Sequence, residues 1–116
     1  MTDHTSLPGT ASELAALRCR NGAPKLPSSA IVAASTLLPG WSISETRIDK
    51  TFLFDDFHAT IEFVNALAWI ANHEDHHPDL RVSYNRCVVS WSTHDAGGIT
   101  RNDIICAAKT DRLITG

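Results

Sequence analysis

Apolar positions recur with helical spacing in three stretches of the chain and with strand spacing in four. The strongest helical pattern places Phe57, Ile61, Val64, Ala68 and Ala71 at steps of four and three, which predicts a helix over 56–72. Phe63, Leu67 and Ile70 broaden that stripe, and Asp55 or Asp56 suits the positive N-terminal end of the helix. Pro78 forbids continuation beyond the histidines that follow. A shorter helix over 30–38 has Ser28 or Ser29 as cap and Pro39-Gly40 as stop. Thr100 and Asp103 have the spacing of a capping box, opening a last helix that carries Ile104, Ala107, Ala108 and Asp111 on successive turns to about Ile114.

Strand-like alternation covers 41–46, 48–54, 80–84 and 87–93. In the second of these Ile48, Phe52 and Phe54 share a face; in the last, Cys87, Val89, Trp91 and Thr93 alternate with Val88, Ser90 and Ser92. Links as short as Asn85-Arg86 require antiparallel neighbours. The expected fold is therefore α+β, in the order helix-β-β-helix-β-β-helix, with helices packed on one face of a four-stranded antiparallel sheet. Residues 28–116 make up this domain. Residues 1–27, with Pro8, Pro24, Pro27, Gly9 and Gly22 and few bulky apolar side chains, read as a loose N-terminal extension holding at most a short helix over 12–19.

Composition narrows the function classes. With 43% apolar and 20% charged residues the chain is of globular type, and 116 residues suffice for one core. Its net charge of −3 and its scattered Lys and Arg residues, no two adjacent, argue against nucleic acid as a partner. No stretch has the length of a membrane span, and the first residues lack the basic and apolar regions of a secretory signal, so no membrane association and a cytoplasmic location are expected. Cys19, Cys87 and Cys106 form no C-x-x-C pair and read as free thiols in a reducing compartment. Trp41, Trp69 and Trp91 read as core or interface residues, and Tyr84 mainly as a packing residue.

The chemistry concentrates in His73-Glu74-Asp75-His76-His77-Pro78-Asp79 and in His94. One reading is a metal site, since His73 and His76 are three apart, but no H-E-x-x-H or other known ligand spacing is present. A purely structural reading, histidine at the negative end of a helix, accounts for His73 but poorly for His-His-Pro at the helix exit and a second Thr-His at a strand exit. The third is acid–base catalysis, for which imidazole is suited near neutral pH. In an antiparallel hairpin the start of one strand lies beside the end of its partner, so His94 should stand near His76 and His77.

These residues carry a resemblance. Asp75-His76-His77-Pro78-Asp79-Leu80, Tyr84-Asn85, Thr93-His94-Asp95-Ala96-Gly97-Gly98-Ile99-Thr100 and Asp103, together with Phe52-x-Phe54-x-x-Phe57, resemble the signature of the pterin-4a-carbinolamine dehydratases. The likeness runs from Leu38-Pro39-Gly40-Trp41 to Leu113. It implies loss of water from a 4a-hydroxytetrahydropterin to give quinonoid dihydropterin, within tetrahydrobiopterin recycling and downstream of an aromatic amino acid hydroxylase. It also implies a homo-oligomer, dimer or tetramer, and neither metal nor cofactor, the pterin being the substrate. By matching position, His76, His77 and His94 are the implied catalytic residues; His76 and His94 would flank the hydroxyl-bearing carbon, while His77 would bind the ring. Pro78, Thr93, Asp95, Ala96 and Asp103 join the histidines as implied substrate contacts, and Asp103 would also orient an imidazole. The chain departs from the pattern at Asn72, where many members carry Glu, and at Leu80, where an aromatic residue is common. The alternative is a non-catalytic interaction protein, since relatives in animals serve as dimerisation cofactors of a homeodomain transcription factor.

Overall fold

The computed structural model describes residues 7–115. In chain order the elements are α1 (Ala11–Ala15), α2 (Ser28–Leu37), β1 (Ser42–Ile43), β2 (Ile48–Leu53), α3 (Phe57–Glu74), β3 (Asp79–Ser83), β4 (Arg86–Trp91), a 3-10 turn (His94–Ala96) and α4 (Arg101–Thr115). All strand neighbours are antiparallel, in the order β1-β2-β4-β3. The two hairpins join through their second strands, with Ile48 opposite Trp91 and Phe52 opposite Cys87.

Alternation decides which face is covered. Ile48 and Phe52 of β2 and Cys87, Val89 and Trp91 of β4 are buried, whereas Thr51, Leu53, Arg81 and Ser83, which alternate with core-facing positions, are exposed. The helices thus pack on one face, as the α+β pattern requires. Phe63 and Leu67 of α3 and Ile104, Ile105 and Ala108 of α4 complete the core. Trp91 keeps its indole N–H satisfied inside this core by donating to Thr110 Oγ1 at 3.2 Å. Trp41 is likewise buried and donates to Asp111, while Trp69 is 66% exposed. Tyr84, expected to pack, is also exposed, because it falls in the β3–β4 turn beyond the last ladder pair.

Several boundaries shift for local reasons. β1 is shorter than its alternation suggests because Ser44 turns the chain, its hydroxyl accepting from the Arg47 amide. α3 runs two residues further, to Glu74, and stops where Asp75 takes the left-handed conformation (φ 52°). The Asp75 and His76 amides then donate back to Asn72 and Ala71 carbonyls, a Schellman-type ending. β4 stops before Thr93, whose hydroxyl is engaged by Asp103.

The largest difference concerns the segment read as a loose extension over 1–27. Of its described part, Leu14, Ala15, Ala23 and Leu26 are buried, α1 packs on α4, and Lys109 Nζ donates to the Ala15 carbonyl at 2.7 Å. Burying a leucine of this kind stabilises by roughly 1.5–3 kcal/mol. One turn of helix, too short to show a period, brings that leucine to the core.

Candidate active site

His76 is placed by the way α3 ends. As the residue after the left-handed Asp75, it has its amide tied to the Ala71 carbonyl at 3.1 Å, which turns its side chain out of the helix. The imidazole stacks on Trp91 (centroids 5.5 Å apart, planes at 16°) and its Nε2 lies 2.6 Å from Asp103 Oδ1. Asp103 is fully buried; its other oxygen accepts from the Thr93 hydroxyl at 2.7 Å and from the Thr100 amide at 2.9 Å. The Thr100–Asp103 capping box is therefore present, and the same carboxylate that caps α4 also holds the histidine. With Nε2–H donating to the carboxylate, Nδ1 is the ring nitrogen left for proton exchange.

A cleft of ≈530 Å³ opens beside this histidine, lined by His76, Asp75, Thr93, Asp95, Ala96, Asn102 and the run Arg20 to Lys25. His94 opens the 3-10 turn on its rim, exposed, between two residues that line the cleft. His77 turns the other way: its Nε2 donates to Asn72 Oδ1 at 3.0 Å and it lines a separate hollow of ≈180 Å³ with Pro78 and Leu80. The Asn72 that departs from the family pattern thus still holds an imidazole. The hairpin brings His76 and the Thr93–Ala96 turn to one cleft, but neighbouring His76 and His77 face different hollows.

His73 stays on α3, exposed and stacked on Trp69 at 4.8 Å. It lines a larger hollow of ≈720 Å³ between α1, α3 and α4, away from His76. Among the described residues no three His, Cys, Asp or Glu side chains converge as a metal site would require.

One wall of the cleft escaped the sequence reading. Arg20, Asn21, Gly22 and Lys25 belong to the segment taken as loose. The Arg20 backbone is held by Asn102, whose Oδ1 accepts from its amide (3.1 Å) and whose Nδ2 donates to its carbonyl (2.7 Å). Glu74, buried at the end of α3, accepts from the Cys19 amide at 2.8 Å and pairs with Arg18 at 2.9 Å. Burial alone would raise this carboxyl; the Cys19 amide, Arg18 and Lys109 outweigh it and leave the pKa below 4.5. The Asn21-Gly22 turn, with Gly22 at φ 74°, was the one signal of ordered structure available there. Beyond the 3-10 turn, Gly98 passes so close to the Glu45 carbonyl that an added Cβ would stand 2.7 Å from it.

Fold and site together define a class: a small α+β protein with a one-sided helical cover and a carboxylate-held histidine at a polar cleft. Comparison with known proteins narrows it. The family model described as "Pterin 4 alpha carbinolamine dehydratase" matches residues 24–113. A Chromobacterium violaceum protein named "Putative pterin-4-alpha-carbinolamine dehydratase" is 53% identical over 94 residues, covering 81% of this chain and 87% of its own. A Stenotrophomonas maltophilia protein of the same name is 52% identical over 105 residues, covering 86% and 90%. The crystal structure of a transcriptional coactivator/pterin dehydratase from Brucella melitensis superposes with a TM-score of 0.73 at 33% identity, over 77% of this chain and 97% of that one. A pterin dehydratase-like protein described as a RuBisCO assembly factor of the alpha-carboxysome shares the fold, with a TM-score of 0.54 at 19% identity over 63% and 84%. This chain belongs to the pterin-4a-carbinolamine dehydratase family.

Proposed function

We propose that the protein removes water from a 4a-hydroxytetrahydropterin, giving quinonoid dihydropterin, by histidine acid–base catalysis. The observation that carries this reading is His76 itself, fixed between Trp91 and the buried Asp103 at the edge of the cleft. Hydroxide is a poor leaving group, so the step needs a proton delivered to the C4a oxygen and one removed from the adjacent ring nitrogen. Protonated at both nitrogens and paired with Asp103, His76 donates from Nδ1; once neutral, the same nitrogen accepts. His94 on the rim serves as the second proton carrier. Thr93, Asp95 and Ala96 contact the flat heterocycle, whereas His77, bonded to Asn72 and facing the hollow beside Pro78 and Leu80, does not reach it in this arrangement. The two transfers together conserve charge and use neither metal nor cofactor, so turnover should survive exhaustive chelation.

In this reading the protein works as a cytoplasmic homo-oligomer in tetrahydrobiopterin recycling, consuming the product of an aromatic amino acid hydroxylase. The deciding experiment is stopped-flow dehydration of enzymatically generated 4a-hydroxytetrahydropterin. Acceleration over the spontaneous rate, unchanged by EDTA, is the expected result; a rate equal to the spontaneous one sinks the proposal. The second reading, an interaction protein on the same fold, draws on the coactivator in the name of the Brucella relative. It gains the field if dehydration is absent from a folded protein.

A further inference from the structure

Cys19 and Cys106 are 87 residues apart in sequence, yet their Sγ atoms approach to 3.4 Å. A disulfide needs them only about 1.4 Å closer. Cys106 is fully buried on α4, one turn beyond Asp103, while Cys19 is half-buried just before the cleft wall formed by residues 20–25. The backbone around Cys19 is clamped in this position on both sides. Its own amide donates to Glu74, and the next residue, Arg20, is bracketed by the Asn102 side chain.

The surroundings divide the labour between the two sulfurs. The hydrogen bond with Cys19 is the foremost influence pushing the Cys106 thiol far above the ordinary thiol range; burial and the nearby Glu74 and Asp103 carboxylates add to it. Cys106 accordingly stays protonated, and Cys19 is the sulfur a solute reaches first.

We propose that Cys19 and Cys106 are a peroxide-responsive modification site, joining as an intramolecular disulfide that clamps the 20–25 wall of the cleft to α4. The Cys19 thiolate attacks one oxygen of hydrogen peroxide, the O–O bond breaks, and Cys19 sulfenic acid and hydroxide result. The Cys106 sulfur then attacks the Cys19 sulfur, the S–OH bond breaks, and the departing oxygen leaves as water with the Cys106 proton. Two thiols and one peroxide give one disulfide and two waters. A small thiol reverses the bond by exchange at the exposed side, Cys19. Such reversible disulfides are the type that a reducing compartment permits.

The test uses the folded wild-type protein treated with equimolar hydrogen peroxide, then denatured, alkylated and digested with trypsin without reduction. Cleavage after Arg18, Arg20, Arg101 and Lys109 leaves Cys19 in the dipeptide 19–20 and Cys106 in 102–109. The expected product is these two peptides joined, lighter by two hydrogens than their sum and separated by dithiothreitol, with Cys87 alkylated. The oxidised protein should also melt at least about 5 °C higher than the reduced form. Cys19→Ser, treated identically, should show neither effect. Cys19 recovered as sulfinic acid beside an alkylated Cys106, a disulfide between two chains, or a linked protein with no rise in melting temperature would overturn the proposal.

Discussion

At the scale of single residues, the structure separates histidines that composition treats alike. His76 has a buried carboxylate behind it and an indole beneath it, His94 lies on the cleft rim, and His73 stacks on an exposed tryptophan at another hollow. His76→Ala and His94→Ala should each lower turnover by roughly 10–10³-fold, within the general acid–base range. The double variant should lose less than the sum of the two penalties if one imidazole partly covers for the other. His73→Ala should change turnover by less than about threefold, since a helix-end histidine contributes chiefly a dipole interaction of about 0.3–1 kcal/mol to stability. Stopped-flow turnover of the four variants beside wild type, with circular dichroism to confirm folding, checks the set. An unimpaired His94→Ala removes the rim histidine from the mechanism, and a crippled His73→Ala revives a shared-face ligand site.

At the scale of elements, the junction of α3 with the N-terminal segment depends on one buried carboxylate. Glu74 meets the Cys19 amide, Arg18 and Lys109 where α3 hands the chain to His76. Its folded-state pKa lies below the ordinary 4.5, so folding favours the charged form. The resulting stability is fully present above the unfolded-state value and is lost as pH falls through the lower folded-state one. Glu74→Gln should therefore be less stable than wild type by about 1–3 kcal/mol near neutrality, and the gap should shrink in acid. Urea unfolding of both proteins from pH 7 to pH 3 measures this; a gap that stays constant across that range would refute the ionic account.

For the molecule as a whole, one-sided helical cover leaves surface that ordinarily finds a partner. β1 and β3 are both sheet edges, Val82 on β3 is 41% exposed, and α3 presents Phe57 and Trp69, the latter 66% exposed. We predict that the chain self-associates, so that light scattering at micromolar concentration should return a mass above the 12.6 kDa of one chain. Trp69→Ala or Val82→Lys should lower that mass according to which surface is used. A monomer mass for wild type would show that neither surface is self-complementary.

Much of this architecture is legible in the sequence because it rests on local regularities. The period of Phe57 to Ala71, the alternation of Cys87, Val89 and Trp91, the Thr100–Asp103 cap and the Pro78 stop each involve residues near in sequence. Antiparallel pairing of β3 with β4 likewise brings the start of β3, just after His76, and the end of β4, just before His94, to one end of the sheet. What only the tertiary structure decided involves partners far apart in the chain. The pairing of β2 with β4, the meeting of His76 and Asp103, and the turning of His77 toward Asn72 depend on how the helices settle on the sheet. The N-terminal segment is the clearest case. Its order comes from Leu14 in the core, Glu74 on the Cys19 amide and Asn102 around Arg20, contacts that no short-range pattern of Pro, Gly and scattered apolar residues encodes. A segment without a period of its own is ordered by the surface that receives it, and that surface exists only once the rest of the chain has folded.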